Sequence, residues 1–286
     1  MENRDYQKRV AAIHDLSGFG KCSLTVALPI LSAAGIEACA MPTAILSTHT
    51  GGISGYTYHD LTSDMRAFMQ HWKSLDIQFD ATYSGFLGSF EQLDLVKEFF
   101  ELFRSKNNLI LVDPVMADNG ELYRIFQPEF AVGMRSLCKK ADIIVPNLTE
   151  AALLLEESYH PGPYTQAYIE KILKKLSKLG PEKVVLTGVY FEEKKLGAAT
   201  YDKGSDSTDY LFTERIPGCY HGTGDVFASA LLSGLLNNFS LKDSTQIAVN
   251  FTADSIRRTY NAKTDYRFGV NFEQCIPDFL KELKLI

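Results

Sequence analysis

Two glycines flank Thr223 in the segment Cys219-Tyr220-His221-Gly222-Thr223-Gly224-Asp225, directly before the apolar, alanine-rich run that starts at Val226. Glycine lets a backbone turn so that successive N–H groups point outward. A helix that starts there adds unpaired amides and the positive end of its dipole. The segment can therefore cradle an anion, with the Asp225 carboxylate in the first helical turn beside it. Such a carboxylate could take a proton from a hydroxyl while the amides of Gly222, Thr223 and Gly224 hold the charge of a phosphoryl group in transfer. The same residues also suit a plain helix start with Asp225 facing the dipole, and the segment alone does not separate the two readings.

Other acids sit at comparable places. Asp113-Pro114-Val115-Met116 follows an apolar run, with Asp118 beyond it, and Pro146-Asn147-Leu148-Thr149-Glu150 follows another. Asp113 and Glu150 could hold Mg²⁺ through water, because that ion keeps several waters and takes few direct carboxylates. Taken singly, Asp113 and Asn147 also read as turn residues next to proline.

The elements that must position these groups are short β-branched runs alternating with helical patterns. Strands are expected at Val10–Ile13, Glu37–Leu46, Ala81–Ser84, Leu109–Val112, Asp142–Val145 and Lys183–Thr187. Helices are expected at Leu61–Trp72, Phe90–Phe103, Phe130–Lys140, Thr149–Glu156 and Thr165–Leu179, from apolar groups at helical spacing. Gly197–Tyr201 and Tyr210–Ile216 read as an edge hairpin, followed by helices at Gly224–Leu236 and Lys242–Tyr260 and a short terminal one. Repeated alternation implies a three-layer α/β sandwich with a mostly parallel central sheet. No repeat or linker divides residues 1–286, so one domain is expected.

Ligands of such sheets bind beyond the carboxyl ends of the strands. Asp15 and Ser17, Ser47 to Thr50, Gly85, Asp113, Asn147 and Glu150, and Thr187 and Gly188 all fall there.

In this combination the chain resembles the ribokinase superfamily, and within it the pyridoxal (vitamin B6) kinases. The resemblance runs from about Val10 to Arg258. It is carried by Gly222–Asp225, Asp113–Met116, Pro146-Asn147 with Glu150, Ser47–Thr50, and Ser84-Gly85-Phe86-Leu87-Gly88. It implies an ATP-dependent kinase that phosphorylates the hydroxymethyl group of pyridoxal, pyridoxine or pyridoxamine. Asp225 would be the base, and the amides of Gly222, Thr223 and Gly224 the anion hole. Asp113, Asn147, Glu150, Thr187 and Gly188 would surround ATP, with Asp113 and Glu150 on Mg²⁺; a need for K⁺ stays open. Asp15, Ser17, His49, Thr50 and Phe86 would line the alcohol side, and Tyr123, in the loop Ala117–Pro128, would close over it as part of a flap. A homodimer is typical of this branch.

The chain also departs from the branch. Asp15-Leu16-Ser17 stands where pyridoxal kinases commonly have Ser-His, and Thr48 stands where Asn is frequent. Asp15 and His221-Gly222-Thr223-Gly224 are similar to the hydroxymethylpyrimidine kinases, which usually place Cys where Asp225 stands. Such a pyrimidine kinase is the in-class alternative. A B6-binding protein without turnover is the other, although a pure binder has no need of a base beside an anion cradle.

The remaining features exclude more than they assign. The net charge is −6 with no Lys/Arg block, which speaks against nucleic-acid partners. No uncharged apolar run approaches the ~20 residues of a membrane span, and the polar start, Met1 to Arg9, lacks a leader's apolar core. The five scattered cysteines form no C-x-x-C pair, so reduced thiols and a cytoplasmic location are expected. Gly18-Phe19-Gly20-Lys21 lacks the first glycine of a P-loop, and Cys22 takes its hydroxyl position. His14, inside the first strand, reads as structural.

Overall fold

The computed structural model describes residues 6–286. Residues 1–5, where the polar N-terminal stretch begins, lie outside the described residues.

The chain starts with β1 (Arg9–Phe19), α1 (Leu24–Ala33), β2 (Glu37–Thr48), β3 (Tyr58–Asp60), α2 (Thr62–Ser74), β4 (Ala81–Ser84) and α3 (Phe90–Phe103). Next come β5 (Leu109–Val112), a two-residue-stranded hairpin β6 (Ala117–Asp118) and β7 (Glu121–Leu122), α4 (Phe130–Cys138), β8 (Ile143–Ile144), α5 (Leu148–Leu155) and α6 (Gln166–Ser177). The chain closes with β9 (Lys183–Val189), β10 (Lys195–Asp202), β11 (Ser207–Glu214), α7 (Thr223–Leu236), α8 (Leu241–Ala262) and α9 (Ile276–Glu282).

One nine-stranded sheet runs in the order β11-β10-β9-β8-β5-β4-β1-β2-β3. The six strands from β9 to β2 pair in parallel, while β10, β11 and β3 are antiparallel additions at the two ends. Side chains alternate across it, as a strand's period of two requires. Ile110 and Val112 enter the core beneath α2 to α6, while Leu111 enters the core beneath α1, α7, α8 and α9. The layered α/β architecture and the hairpin at one sheet edge agree with the expectation.

Local chemistry explains the best-placed boundaries. The Ser89 hydroxyl accepts the Gln92 amide and so starts α3. Gln92, buried in its first turn, donates to the Thr43 carbonyl and the Thr62 hydroxyl, which docks α3 onto β2 and α2.

Four features depart from the expectation. The segment 24–33 is a helix despite Pro29 inside it; burial of Leu24, Val26, Ala27, Ile30 and Leu31 outweighs the lost backbone bond. β1 runs on to Phe19 rather than ending at Ile13, pairing there with β2 alone. The exposed β3 is an added edge strand. Asn119 (φ 51°) and Gly120 (φ 86°) form the turn of the β6–β7 hairpin, where an open loop was expected.

The sheet order reverses between β1 and β4, and it is at such a switch point that a ligand crevice opens. β1 parts from β4 after Ile13, and a Cβ at Gly85, just past β4, would lie 2.2 Å from His14 Nδ1.

Candidate active site

Gly222 stands before α7 in the left-handed region, at φ 75°. A Cβ there would lie 2.0 Å from the Lys21 carbonyl oxygen, so only glycine fits. That close approach aims the start of α7 into the crevice. The amides of Thr223, Gly224 and Asp225 open the helix and have no intrahelical acceptor. The Thr223 hydroxyl donates back to the Tyr220 carbonyl at 3.3 Å, bracing the turn.

Asp225 does not cap its own helix. Its Oδ2 accepts the Ser23 amide of the neighbouring loop at 2.8 Å, and its Oδ1 lies 3.9 Å from His14 Nδ1. Burial raises its pKa to about 7; the Ser23 amide pulls it down and Asp15 pushes it up. A carboxylate with that affinity can hold a proton taken from an alcohol near neutral pH.

Asp113, at the end of β5, faces the same space, with Oδ2 3.8 Å from where a Gly224 Cβ would stand. Burial holds its pKa well above the usual range, and the charges of Glu150 and Asp225 add to this. No donor among the described residues bonds its carboxylate. Glu150 is raised to about 8, chiefly by burial.

Asn147 and Glu150 form a capping box at the start of α5. Glu150 accepts the Asn147 amide (2.9 Å) and the Met116 amide (3.1 Å), and Asn147 Nδ2 donates to the Ala117 carbonyl (2.8 Å). The Gly120 amide donates to the Thr149 hydroxyl at 2.9 Å. These bonds clamp the β6–β7 hairpin onto α5. Tyr123 follows that hairpin. The residue is 39% exposed, and desolvation of its phenol, then the charges of Glu150, Asp118, Asp113 and Asp225, raise its pKa.

On the β1 side, Asp15 is buried, accepting Ser17 Oγ (3.0 Å) and Ser23 Oγ (2.5 Å). His49 is buried and satisfied at both nitrogens: Nδ1 accepts the Gly51 amide (3.0 Å), so Nε2 carries the proton toward the Arg267 carbonyl (2.5 Å). His221 sits 5.3 Å away, ring to ring. Thr50 is exposed one residue beyond His49. Phe86 is half-buried against Phe126. Thr187 bridges to Asn147 at the end of β9, and Gly188 (φ 75°) is the extra residue where β9 slips against β10.

Asp225, Asp113, Glu150, Asp15 and Tyr123 therefore share one cluster with the Gly222–Gly224 turn. His49 and Asn147 lie beside it with their polar atoms already engaged, and contact between Thr50 or Phe86 and the cluster is not drawn by any hydrogen bond. The sequence reading passed over Ser23, Thr149 and the neighbourhood of His14 and Asp225. Only the Ser-Leu-Thr after Cys22 hinted at a helix start for Ser23.

The acids fit a divalent cation. Besides burial, the charges of Glu150 and Asp225 push Asp113 up, that of Asp118 pushes Glu150 up and that of Asp15 pushes Asp225 up, with no Lys or Arg charge among the causes. No group of three or more His, Cys, Asp or Glu among the described residues could hold a metal ion by direct ligation.

The raised carboxyl pKa values carry a stability consequence. Each such group stabilises the fold fully below the ordinary carboxylate pKa of ~4 and loses that contribution as pH rises through its folded value. The ligand-free protein should therefore lose thermal stability between pH 5 and about 8, the value for Glu150. Asp113→Asn removes one uncompensated charge and should raise the pH 8 midpoint by about 2–4 °C in scanning calorimetry. A lower midpoint at pH 8 would contradict this account.

A crevice at the switch point of an α/β sheet, with a base beside an amide cradle and buried acids opposite, defines a kinase of small molecules with the ribokinase-like fold. The chain belongs to the phosphomethylpyrimidine kinase family, whose sequence profile matches residues 28–269. A candidate phosphomethylpyrimidine kinase from Bacteroides thetaiotaomicron VPI-5482, solved with pyridoxal, is 39% identical with a TM-score of 0.92 over 96% of both chains. The pyridoxal kinase of Lactobacillus plantarum is 31% identical with a TM-score of 0.88, covering 96% of this chain and 98% of that one. The pyridoxal kinase of Arabidopsis thaliana is 32% identical over 64% of this chain. The chain spans 29% to 59% of the lengths of three curated relatives that it matches. No helix of the described residues is long and apolar enough to cross a membrane.

Proposed function

We propose that this kinase transfers the γ-phosphoryl group of ATP to the hydroxymethyl group of a B6 vitamer, pyridoxal, pyridoxine or pyridoxamine, giving the 5′-phosphate. The observation that carries the reading is Asp225 itself. It is a largely buried carboxylate, its side chain 13% exposed, of near-neutral pKa at the mouth of α7, where the pyrimidine kinases usually place Cys. The pyridoxal bound by the Bacteroides relative supports it, as does the activity for which the Lactobacillus protein is named.

In this reading the substrate hydroxyl gives its proton to Asp225 as its oxygen bonds to the γ-phosphorus, and the bond from phosphorus to the ADP oxygen breaks. The amides of Gly222, Thr223 and Gly224 hold the charge on the phosphoryl oxygens. Mg²⁺, when bound, would neutralise phosphate charge, with Asp113 and Glu150 as its acids. Asn147, Thr187 and Gly188 border the nucleotide, and Asp15, Ser17, His49, Thr50 and Phe86 the alcohol. Tyr123 and its hairpin exclude water, which limits wasteful hydrolysis of ATP. A homodimer of one-domain subunits, working in the cytoplasm, belongs to the same reading.

Hydroxymethylpyrimidine is the second reading, favoured by the family to which the chain belongs and by Asp15 and His221. ATP-dependent phosphorylation measured side by side on the three vitamers and hydroxymethylpyrimidine separates them. Turnover of the pyrimidine alone would remove the B6 assignment.

The base also fixes a pH profile. Asp225 must be ionised to accept a proton, so activity should fall as pH drops below its pKa of about 7. That acid limb is expected in kcat/KM. A flat profile from about pH 5.5 to 8 would count against Asp225 as the base.

A further inference from the structure

Ser23 starts α1 from φ 52° and ψ −130°. That lies outside the small left-handed well, near ψ +30° to +60°, that residues with a Cβ visit. Such strain persists only where surrounding contacts hold it, and it gathers at functional sites. A serine at a helix start ordinarily turns its hydroxyl onto the first amides of the helix, but Ser23 makes no such bond. Its hydroxyl donates to Asp15 Oδ1 at 2.5 Å, while its amide donates to Asp225 Oδ2 at 2.8 Å. The chain has little freedom to do otherwise. Lys21 is fixed by its amide bond to the Phe268 carbonyl at 3.1 Å and by the contact of its own carbonyl with Gly222, so the turn must be completed between Lys21 and Leu24.

We propose that Ser23 is a positioning residue that sets the orientation of Asp15 relative to Asp225. It rests on the alcohol-kinase reading above, in which Asp15 faces the alcohol and Asp225 is the base. With one oxygen taken by Ser23 and the other by Ser17, Asp15 presents a single fixed edge to the crevice. Asp225 keeps Oδ1 for the incoming proton because Ser23 occupies Oδ2. A bond from one residue to each carboxylate turns two separate side chains into one rigid pair, so the alcohol is gripped and deprotonated in a constant geometry.

Ser23→Gly keeps the amide, accepts the backbone angles without strain and removes the hydroxymethyl side chain. Its thermal midpoint should equal or exceed that of the wild type. Its KM for the alcohol should rise about tenfold or more, as for the loss of a hydrogen bond to a charged group, with the KM for ATP within about twofold. Ser23→Ala, which loses the hydroxyl and keeps the strain, should match it in KM. Placed in an Asp15→Ala background, Ser23→Gly should add no further rise, because Ser23 acts through Asp15. The assays use whichever alcohol the wild type turns over; a wild type inactive on pyridoxal, pyridoxine and pyridoxamine alike refutes the B6 assignment before any variant is compared. An unchanged alcohol KM in Ser23→Gly, an equal rise for ATP, or an additive effect in the Asp15→Ala background would overturn the positioning role.

Discussion

Asp225→Asn is expected to lower kcat by about 10²- to 10⁴-fold, the range for removing a positioned general base, with KM values changed only a few-fold. The substitution keeps the shape of the side chain, and an amide oxygen can still accept the Ser23 N–H. What it removes is the ability to hold the substrate's proton. The Asp225 charge is buried and opposed by Asp15, and no cation relieves it. The variant should therefore be as stable as the wild type or more so at pH 8, and should still bind ATP. Steady-state kinetics with thermal melts check both halves. A variant that is inactive and also unfolded would show a structural rather than a chemical role, and full activity would remove Asp225 from the mechanism.

The second large effect belongs to Gly222→Ala. A methyl group there would meet the Lys21 carbonyl oxygen at 2.0 Å, and φ is 75°. The obstacle is backbone, and it cannot retreat, since the Lys21 amide is bonded to Phe268 and Gly269 packs against the same residue. The start of α7 must move instead, taking the amides of the cradle off their target. Loss of such donors lowers kcat by about 10²- to 10³-fold, and strain of this kind costs ~1–3 kcal/mol of stability. Gly224→Ala is the informative companion, because its new methyl group would meet nothing nearer than Asp113 Oδ2 at 3.8 Å. It should fold normally and impair turnover by crowding the space beside Asp113. Equal melting temperatures for Gly222→Ala and the wild type would refute the steric account.

The contrast between those two glycines shows what a sequence can and cannot say. The pattern Gly-Thr-Gly-Asp before an apolar run marks a helix start that can bind an anion, and that was legible. Which glycine is compulsory depends on Lys21, some two hundred residues earlier, and no local pattern carries it. Likewise α3 was readable end to end because Ser89 caps it and its apolar residues keep helical spacing. β5 is a short, wholly apolar run, Leu109–Val112, bounded by Asn108 and Asp113-Pro114. By contrast, α1 hides behind Pro29 and a start that lacks the usual capping bond. The far half of β1 was missed because its residues turn polar on entering the crevice, so the alternation that marks a buried strand fades there. Asn119-Gly120 was a hairpin signal in plain view, masked by the reading of Ala117–Pro128 as a flap loop. Asn147 and Glu150 show the opposite case: their capping pattern was visible, but its further use, tethering the β6–β7 hairpin through Met116 and Ala117, needed coordinates.

β1 pairs with β4 only over Val10–Ile13 and continues with β2 to Phe19, where β2 carries an extra residue opposite Asp15. One strand thus belongs to two structures, a sheet core at its start and a crevice wall at its end. The wall is built on strand pairing that resumes at Leu16 beyond that bulge, whereas the anion cradle and the hairpin rest on turns at the ends of other strands. Under the proposed reading, recognition of the alcohol and transfer of phosphate are carried by parts anchored on different elements and joined at Ser23. A change at Ser17 leaves Gly222 and Asp113 on their own anchors, whereas a change at Asp15 reaches Asp225 through Ser23, so a mutational route between pyridine and pyrimidine alcohols on one scaffold has to keep that link.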